Sequence, residues 1–194
     1  MLDYAEYFKI LISLVAIVNP VGAIPLFISM TADETPKERQ TTINLVAIGV
    51  ISILLVSLFF GEALLQFFGI TIDSFRVGGG ILILLMAISM MHGKTSPVRQ
   101  TKEEADESEQ KESVAIVPLA MPLLAGPGAI STVILAAHKS TSVPHYFIVA
   151  VGIVLLGLII WGLLRLSPWI TRHSSTTSIN IFTRIMGLIL AAIA

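Results

Sequence analysis

Two proline motifs in this chain carry residue types that could bind a small charged molecule inside a membrane. The first, residues 18–27, reads VNPVGAIPLF and places Pro20 and Pro25 five positions apart within an apolar run. A proline inside a helix removes one backbone donor and clashes with the carbonyl four residues before it. Lipid supplies no replacement partner, so the freed groups must line a cavity or bond to protein. The motif therefore predicts a broken helix, with the break between Asn19 and Pro25.

A broken helix brings two opposite partial charges to one place. The carbonyl end of the first half-helix attracts cations, and the amide end of the second half-helix attracts anions. A zwitterion matches both ends, and the small residues beside the motif allow it to approach the backbone closely. For a single motif the alternative is a simple kink whose backbone groups are satisfied within the protein.

The second motif repeats the first. Residues 121–130 read MPLLAGPGAI, with Pro122 and Pro127 at the same spacing. This register aligns Pro20 with Pro122, and it aligns Asn19 with Met121. Residues 75–82 and 183–190 are also similar to each other. The chain therefore reads as two copies of one unit, and the matched spacing favours two breaks over two unrelated kinks.

The composition is that of a membrane protein. Of the 194 residues, 55% are hydrophobic and 13% are charged, whereas soluble domains contain about 25% charged residues. The net charge of -1 argues against nucleic acid as a partner. Cysteine is absent from the sequence, which excludes disulfides and cysteine metal sites. The start of the chain is acidic where a secretory signal would be basic, so the first apolar run is expected to be retained.

The hydropathy pattern predicts an all-α integral membrane protein. A membrane-spanning helix needs about 20 mostly apolar residues. Six runs qualify, with the last slightly short. Three crossings in each copy would insert the second copy upside down, which gives two inverted three-helix repeats with helices 1 and 4 broken. The predicted spans are 8–30, 41–68, 75–91, 114–137, 145–166 and 179–194. The predicted units are residues 1–92, a polar cytoplasmic linker at 93–113, and residues 114–194.

The basic residues predict the orientation. Nine of the twelve Lys and Arg residues fall on one set of connections, and that side belongs in the cytoplasm. Both termini are then expected outside. The nine are Lys37, Arg39, Lys94, Arg99, Lys102, Lys111, Arg165, Arg172 and Arg184.

Three charged residues within or beside the spans are hypothetical gating or ion-coupling groups. Glu62 lies in the second span and could carry a proton or close the outer side, although an interfacial carboxylate is the simpler interpretation. Arg76 and Arg184 begin spans three and six and could each close one face, but snorkelling to head groups explains them equally well. The four histidines lie in or beside predicted loops, and none shows metal-ligand spacing.

The predicted substrate site combines the residues at both breaks. Asn19 could contact the ligand, cap the second half-helix, or do both. Ser131 and Thr132 follow the second break and could bond either a polar ligand or the preceding carbonyls. The predicted substrate-binding residues are Asn19, Pro20, Gly22, Ala23, Ala125, Gly126, Gly128, Ala129, Ser131 and Thr132.

These motifs together resemble those of the MarC family of integral membrane proteins. The resemblance rests on NPVGAIPLF, MPLLAGPGAIS, RVGGGILILLMAI and RIMGLILA, in that order along essentially the whole chain. It implies a multi-pass protein of the cytoplasmic membrane. The best-described activity in the family is that of SnatA, which transports glycine and alanine, so the resemblance implies transport of small neutral amino acids.

The functional prediction is therefore a secondary transporter that works by alternating access. Enzyme motifs such as G-x-S-x-G and H-E-x-x-H are absent, as is a P-loop, so no catalysis, cofactor or bound metal is expected. Coupling would come from an H⁺ or Na⁺ gradient or from exchange, and the lipid bilayer is the expected surrounding. A channel, or an exporter of another small polar metabolite, is the alternative.

Overall fold

A computed structural model of the chain describes residues 2–92, 115–173 and 176–194. Within these ranges every regular element is a helix. The linker predicted at 93–113 lies outside them. In chain order the helices are α1 Tyr4–Val18, α2 Pro20–Met30, α3 Pro36–Phe67, α4 Ile72–Met91, α5 Ala115–Leu124, α6 Pro127–His138, α7 Val143–Arg165, α8 Ser167–His173 and α9 Thr176–Ile193.

Four helical stretches in the described ranges are long and apolar enough to cross a membrane. They are Tyr4–Met30, which comprises α1 and α2, together with α3, α4 and α7. These stretches match the predicted spans at 8–30, 41–68, 75–91 and 145–166. Shorter helices occupy the other two predicted spans: α5 and α6 at 114–137, and α9 at 179–194.

The start of α3 follows directly from its sequence. The hydroxyl of Thr35 accepts a hydrogen bond from the Glu38 amide at 3.3 Å, and the Glu38 carboxylate accepts one from the Thr35 amide at 2.7 Å. Pro36 occupies the first helical position, where its missing N–H costs nothing. This reciprocal cap satisfies two backbone amides at the start of α3.

Helix α5 has π-helical hydrogen bonding, with a wider turn than an α-helix. The amide of Ala125 continues this pattern and donates to the Ala120 carbonyl, five residues earlier, at 2.8 Å. The chain then leaves the helix at Gly126, and Pro127 begins α6.

Most contacts between helices join the first half of the chain to the second. Helix α3 packs along α7 and α4 packs along α9. The members of each pair are helices that the predicted repeat aligns. Helices α1 and α2 contact α6, α7 and α9, and in the described ranges they make little contact with α3 or α4. The core lies between the halves and includes the fully buried side chains of Phe27, Leu54, Leu119 and Ile153.

Glycines allow several of these helices to approach closely. A Cβ atom on Gly61 of α3 would overlap Ile134 of α6, and one on Gly157 of α7 would overlap Ile51 of α3. A Cβ on Gly187 of α9 would lie 3.0 Å from the Ala87 carbonyl oxygen of α4. Small residues are therefore required where the halves meet.

Side-chain contacts define two opposite faces of the helical bundle. At the first face, where α1 begins, Lys139 bonds to Glu6 at 3.1 Å. At the second face, where α7 ends, the Trp161 indole donates to Asn44 of α3 at 2.9 Å. We call these two ends the first face and the second face.

Candidate functional site

The first helix break lies at Asn19, one residue before Pro20. Asn19 adopts a left-handed conformation, with φ 47° and ψ 61°, and its amide donates to the Val15 carbonyl at 2.9 Å. Its side-chain oxygen accepts from the Gly22 amide at 3.2 Å. Asn19 therefore ends α1 and caps α2. Pro25 lies inside α2, so the break is shorter than the predicted range from Asn19 to Pro25.

Among the described residues, the side-chain nitrogen of Asn19 has no hydrogen-bond partner, although the residue is only 1% exposed. A Cβ on Gly22 would collide with this nitrogen and would lie 3.0 Å from the Thr183 hydroxyl of α9. A buried amide donor without a partner costs about 1–3 kcal/mol. An unused donor at a helix break is consistent with a ligand site.

The second helix break lies at Ala125 and Gly126, later than the repeat predicts. Gly126 precedes α6, which begins at Pro127 and has no side-chain cap. Pro122 lies inside α5. The helix break thus precedes Pro20 in one half and Pro127 in the other. The predicted register instead aligns Pro20 with Pro122. Gly126 precedes α6 in the same capping position in which Asn19 precedes α2. The predicted pairing of Asn19 with Met121 is therefore wrong.

The two breaks lie against each other. A Cβ on Gly128, in the first turn of α6, would lie 3.3 Å from the Ile17 side chain, in the last turn of α1. It would also lie 2.9 Å from the Met86 sulfur of α4. The amide end of α6 therefore meets the carbonyl end of α1, and the backbone ends of opposite polarity are adjacent.

A cavity of about 420 Å³ opens on the first face above this junction. We call it the vestibule. Thr132 and Ser13 line it several residues in from the helix ends, and Thr132 donates to the Gly128 carbonyl at 2.9 Å. Ile83 both lines the vestibule and approaches Gly128, so it separates the cavity from the start of α6. The vestibule is lined by Glu6, Lys9, Ile10, Ser13, Arg76, Gly80, Ile83, Thr132, Leu135, Ala136, His138, Lys139, Ile193 and Ala194.

Charged groups surround the mouth of the vestibule. The two carboxylate oxygens of Glu6 bond to Lys9 at 2.9 Å and to Lys139 at 3.1 Å. Arg76 lies 3.4 Å from Asp73 of the same helix. Each lysine uses one of its three N–H groups on Glu6, so the mouth retains donors for a carboxylate.

Glu62 contacts a residue that its sequence position does not indicate. Its carboxylate lies 3.1 Å from the Nδ1 atom of His138, which joins α3 to the end of α6 at the first face. The two side chains are 30% and 44% exposed. A pair of this kind is expected to contribute under about 1 kcal/mol.

His145 lies beside a loop, within the prediction that the histidines lie in or beside loops, but its side chain is not on the surface. It occupies the first turn of α7 and is fully buried. Its Nε2 atom lies 2.8 Å from the Ala136 carbonyl of α6, and its Nδ1 atom lies 3.1 Å from the Tyr7 hydroxyl of α1. The polar sequence before α7 suggests a loop, but α1 and α6 cover this turn.

Comparison with known proteins identifies the family. Residues 4–194 match the family described as MarC family integral membrane protein. The chain belongs to the MarC family. It is therefore an integral membrane protein that crosses the bilayer several times. No solved structure matches the chain.

MarC relatives of this chain occur in bacteria and archaea. The UPF0056 membrane protein YhcE of Escherichia coli is 50% identical, over 98% of this chain and 89% of its own length. YvbG of Bacillus subtilis, a UPF0056 membrane protein, is 35% identical over 95% of this chain and 88% of its own length. A UPF0056 membrane protein of Methanocaldococcus jannaschii is 38% identical, over 94% of this chain and 88% of its own length.

The predicted site residues of this MarC chain fall into three groups. Around the breaks, Pro20, Ala23, Ala125, Gly126, Gly128 and Ala129 are buried. Thr132 and Arg76 line the vestibule, whereas Ser131 packs beneath Gly79 of α4. Arg184 is exposed on α9, away from the vestibule.

Four residues at or near the candidate site of this MarC chain were not identified from the sequence. Ser13 follows Lys9 by four residues and Glu6 by seven, a spacing that indicates one helix face. This pattern could have identified it. Thr183, Tyr7 and His145 approach the site only through packing between the two halves, and no local pattern indicates that.

Proposed function

We propose that this MarC chain is a secondary transporter of small neutral amino acids, such as glycine and alanine, in the cytoplasmic membrane. In this proposal the chain crosses the membrane six times, as two inverted three-helix repeats, and both termini lie outside. The pairing of α3 with α7 and of α4 with α9 supports this arrangement, since a pseudo-two-fold axis would bring equivalent helices together. The first face is then the outer face.

The observation that carries the proposal is the junction of two broken helices beneath an open vestibule. Interrupted helices at corresponding places in two halves are the feature that best indicates a transporter binding site. Here Gly128 after one break packs against Ile17 before the other. A ligand that entered the vestibule would reach this junction by displacing Ile83.

The polarity of the junction selects a zwitterion. The first amides of α6 have no side-chain cap and suit a carboxylate. The last carbonyls of α1 suit an ammonium group, and the free nitrogen of Asn19 supplies a further donor to the carboxylate. A neutral amino acid satisfies both ends without adding net charge to a buried site.

The packing of the junction selects a small ligand. No side chain larger than a hydrogen atom fits at Gly22, and a methyl group at Gly128 would contact Met86 and Ile17. Glycine and alanine are the smallest zwitterions of this class. The vestibule, at about 420 Å³, admits them easily.

Transport then requires that the junction open to each face in turn. Rocking of one repeat against the other would expose it alternately. We propose an ion gradient as the source of energy, and no chemical conversion of the substrate. Residues Glu62 and His138 join α3 and α6 at the first face, so their separation would accompany outward opening.

Uptake of radiolabelled glycine and L-alanine into proteoliposomes that contain the purified chain tests the proposal. An inward proton gradient, an inward sodium gradient and no gradient would be compared. We expect saturable uptake that other small neutral amino acids compete for. Gly22→Leu and Gly126→Leu should abolish it, whereas Gly78→Leu should not, because Gly78 faces open space.

Two results would contradict the proposal. Absence of uptake above empty liposomes, with folding verified, would remove the amino-acid assignment. Steady, non-saturating electrical conductance would indicate a channel instead of a carrier.

A further inference from the structure

His145 is a buried titratable side chain at a junction of three helices. It is fully buried in α7, it bonds Tyr7 of α1, and it bonds the Ala136 carbonyl of α6. The binding of an amino acid at the helix breaks does not use this residue. The other histidines with described side chains, His92 and His138, are exposed.

The contacts of His145 determine where its proton lies in the neutral state. A carbonyl oxygen only accepts hydrogen bonds, so the Nε2 atom facing Ala136 must carry hydrogen. The Nδ1 atom of the neutral ring is then an acceptor, and the Tyr7 hydroxyl donates to it. A second proton can therefore bind only at Nδ1.

We propose that His145 binds and releases the coupling proton of transport. This inference rests on the proposed transport function and selects H⁺ over Na⁺ as the coupling ion. Imidazole is the side chain whose charge ordinarily changes between pH 5 and 8. That range includes the pH on either side of a cytoplasmic membrane.

Protonation would alter the contacts between α1 and the two helices beside it. With hydrogen on Nδ1, the ring donates to Tyr7, and the phenol hydrogen must find another acceptor. The new positive charge lies in a buried site, where a charge without a counter-ion is costly. A conformation that admits water or a carboxylate to the ring therefore becomes more favourable.

The groups around His145 indicate which contacts would change. On α1, Glu6 precedes Tyr7, and its carboxylate bonds both Lys9 and Lys139. On α6, His138 and Lys139 follow Ala136 closely. On α7, the Tyr146 ring lies 5.9 Å from His145 and stacks on Phe59 of α3, which brings no charge. We assign Glu6, one residue before Tyr7 on α1, as the counter-ion, and its movement toward His145 would release Lys139.

The position of His145 connects this change to substrate access. Its partner Ala136 forms part of the vestibule wall, and Glu6 and Lys139 lie at the vestibule mouth. Loss of the Glu6–Lys139 contact would separate α1 from the end of α6. A proton taken up from the first face would thus favour widening of the vestibule and access to the junction from that face.

The first experiment compares two modes of transport in the same proteoliposomes. Accumulation of glycine would be driven by a pH step, acidic on the first face, and exchange would be measured with equal glycine and pH on both sides. We expect His145→Gln to reduce accumulation by about tenfold and to retain exchange. His92→Gln is the matched control, since His92 also bonds a carbonyl, that of Ile88 at 2.8 Å, but is exposed. Accumulation by His145→Gln at the wild-type level would overturn the proposal.

The second experiment does not depend on transport. Nuclear magnetic resonance of the ¹⁵N-histidine-labelled protein in nanodiscs would follow His145 from pH 5 to 8. We expect hydrogen on Nε2 at high pH and on both nitrogens at low pH. Tyr7→Phe removes the donor to Nδ1, so the Nδ1 resonance of the neutral ring should shift in Tyr7→Phe and should stay in place in Tyr146→Phe. A ring that stays neutral throughout this range would overturn the proposal even if amino-acid transport is confirmed.

Discussion

The side chain of Asn19 lies across the α-carbon of Gly22. Its oxygen accepts from the Gly22 amide at 3.2 Å, and its nitrogen occupies the space that a Cβ on residue 22 would need. The same side chain thus caps α2 and excludes every residue but glycine from position 22. The break in the first half of the chain depends on this pair.

Gly22→Ala should therefore destabilise the protein despite the better helix propensity of alanine. The methyl group would displace the Asn19 amide and remove a helix cap, which typically costs about 0.5–2 kcal/mol. Thermal unfolding in detergent would show a lower midpoint. Gly152→Ala is the matched control, because no atom lies within 4 Å of its Cβ position. Equal midpoints for the two variants would contradict the crowding at Gly22.

The sequence predicted that both motifs break a helix, and it placed the first break between Asn19 and Pro25, but it did not indicate which proline directly follows each break. Each motif contains two prolines, and the hydrogen bonds around them decide which one follows the break. Asn19 can adopt a left-handed conformation and cap α2, so the helix in the first motif breaks before Pro20. In the second motif the π-helical turns of α5 include Pro122, and the break moves to Gly126. The shared Gly-Ala-Ile after each helix start, at 22–24 and 128–130, is a sequence signal that matches the structural register to within one residue.

Contacts between the halves were the least predictable part of the site. The pairs Glu62–His138 and Tyr7–His145 join residues that are far apart in the sequence. Hydropathy places each residue near a helix end, but it contains no information about which helices are neighbours. With one sequence, the repeat predicted only one contact between the halves, because it placed both helix breaks in a single substrate site.

Gly157→Ala should destabilise the contact between α7 and α3. The new methyl group would overlap Ile51, and overpacking of this kind costs about 1–3 kcal/mol. Ile51→Ala should relieve this overlap. The double variant should therefore lose less free energy of unfolding than the sum of the two single losses. Unfolding in detergent of all three variants measures this coupling, with Gly162→Ala as the control at an open position. If the losses of the two single variants simply add in the double variant, the methyl group of Gly157→Ala and the Ile51 side chain are not in steric conflict.

Glu62→Gln should affect transport more than stability. The carboxylate is partly exposed, so loss of its pair with His138 should cost under about 1 kcal/mol of unfolding free energy. If the pair holds α3 to α6 when the first face is closed, the exchange rate of glycine should change several-fold. Asp73→Asn is the control, because it breaks a pair with Arg76 that lies within one helix. Unchanged exchange in Glu62→Gln would exclude a gating role.

Single cysteines should report the proposed orientation, since the natural sequence contains none. Ser140→Cys lies at the first face, between α6 and α7, and Lys37→Cys lies at the start of α3. A membrane-impermeant maleimide added to intact cells should label position 140 and should label position 37 only after lysis. Thr177→Cys, at the start of α9, should behave like position 37 if α9 crosses the membrane. Labelling of position 37 in intact cells would reverse the proposed orientation.

Asn19→Asp separates the capping role of this residue from a ligand role. Aspartate keeps the oxygen that accepts from the Gly22 amide, and it is a good residue at a helix start, but it removes the buried nitrogen that has no partner. If that nitrogen donates to the substrate carboxylate, glycine should bind at least about tenfold more weakly, because a hydrogen bond to a charged group is lost and the buried carboxylate of Asn19→Asp also repels the substrate carboxylate. Asn19→Gly, which accepts the left-handed conformation but cannot cap, should lower stability as well. Isothermal titration with glycine and unfolding in detergent would distinguish the variants. Unchanged glycine affinity in a folded Asn19→Asp protein would leave Asn19 as a helix cap alone.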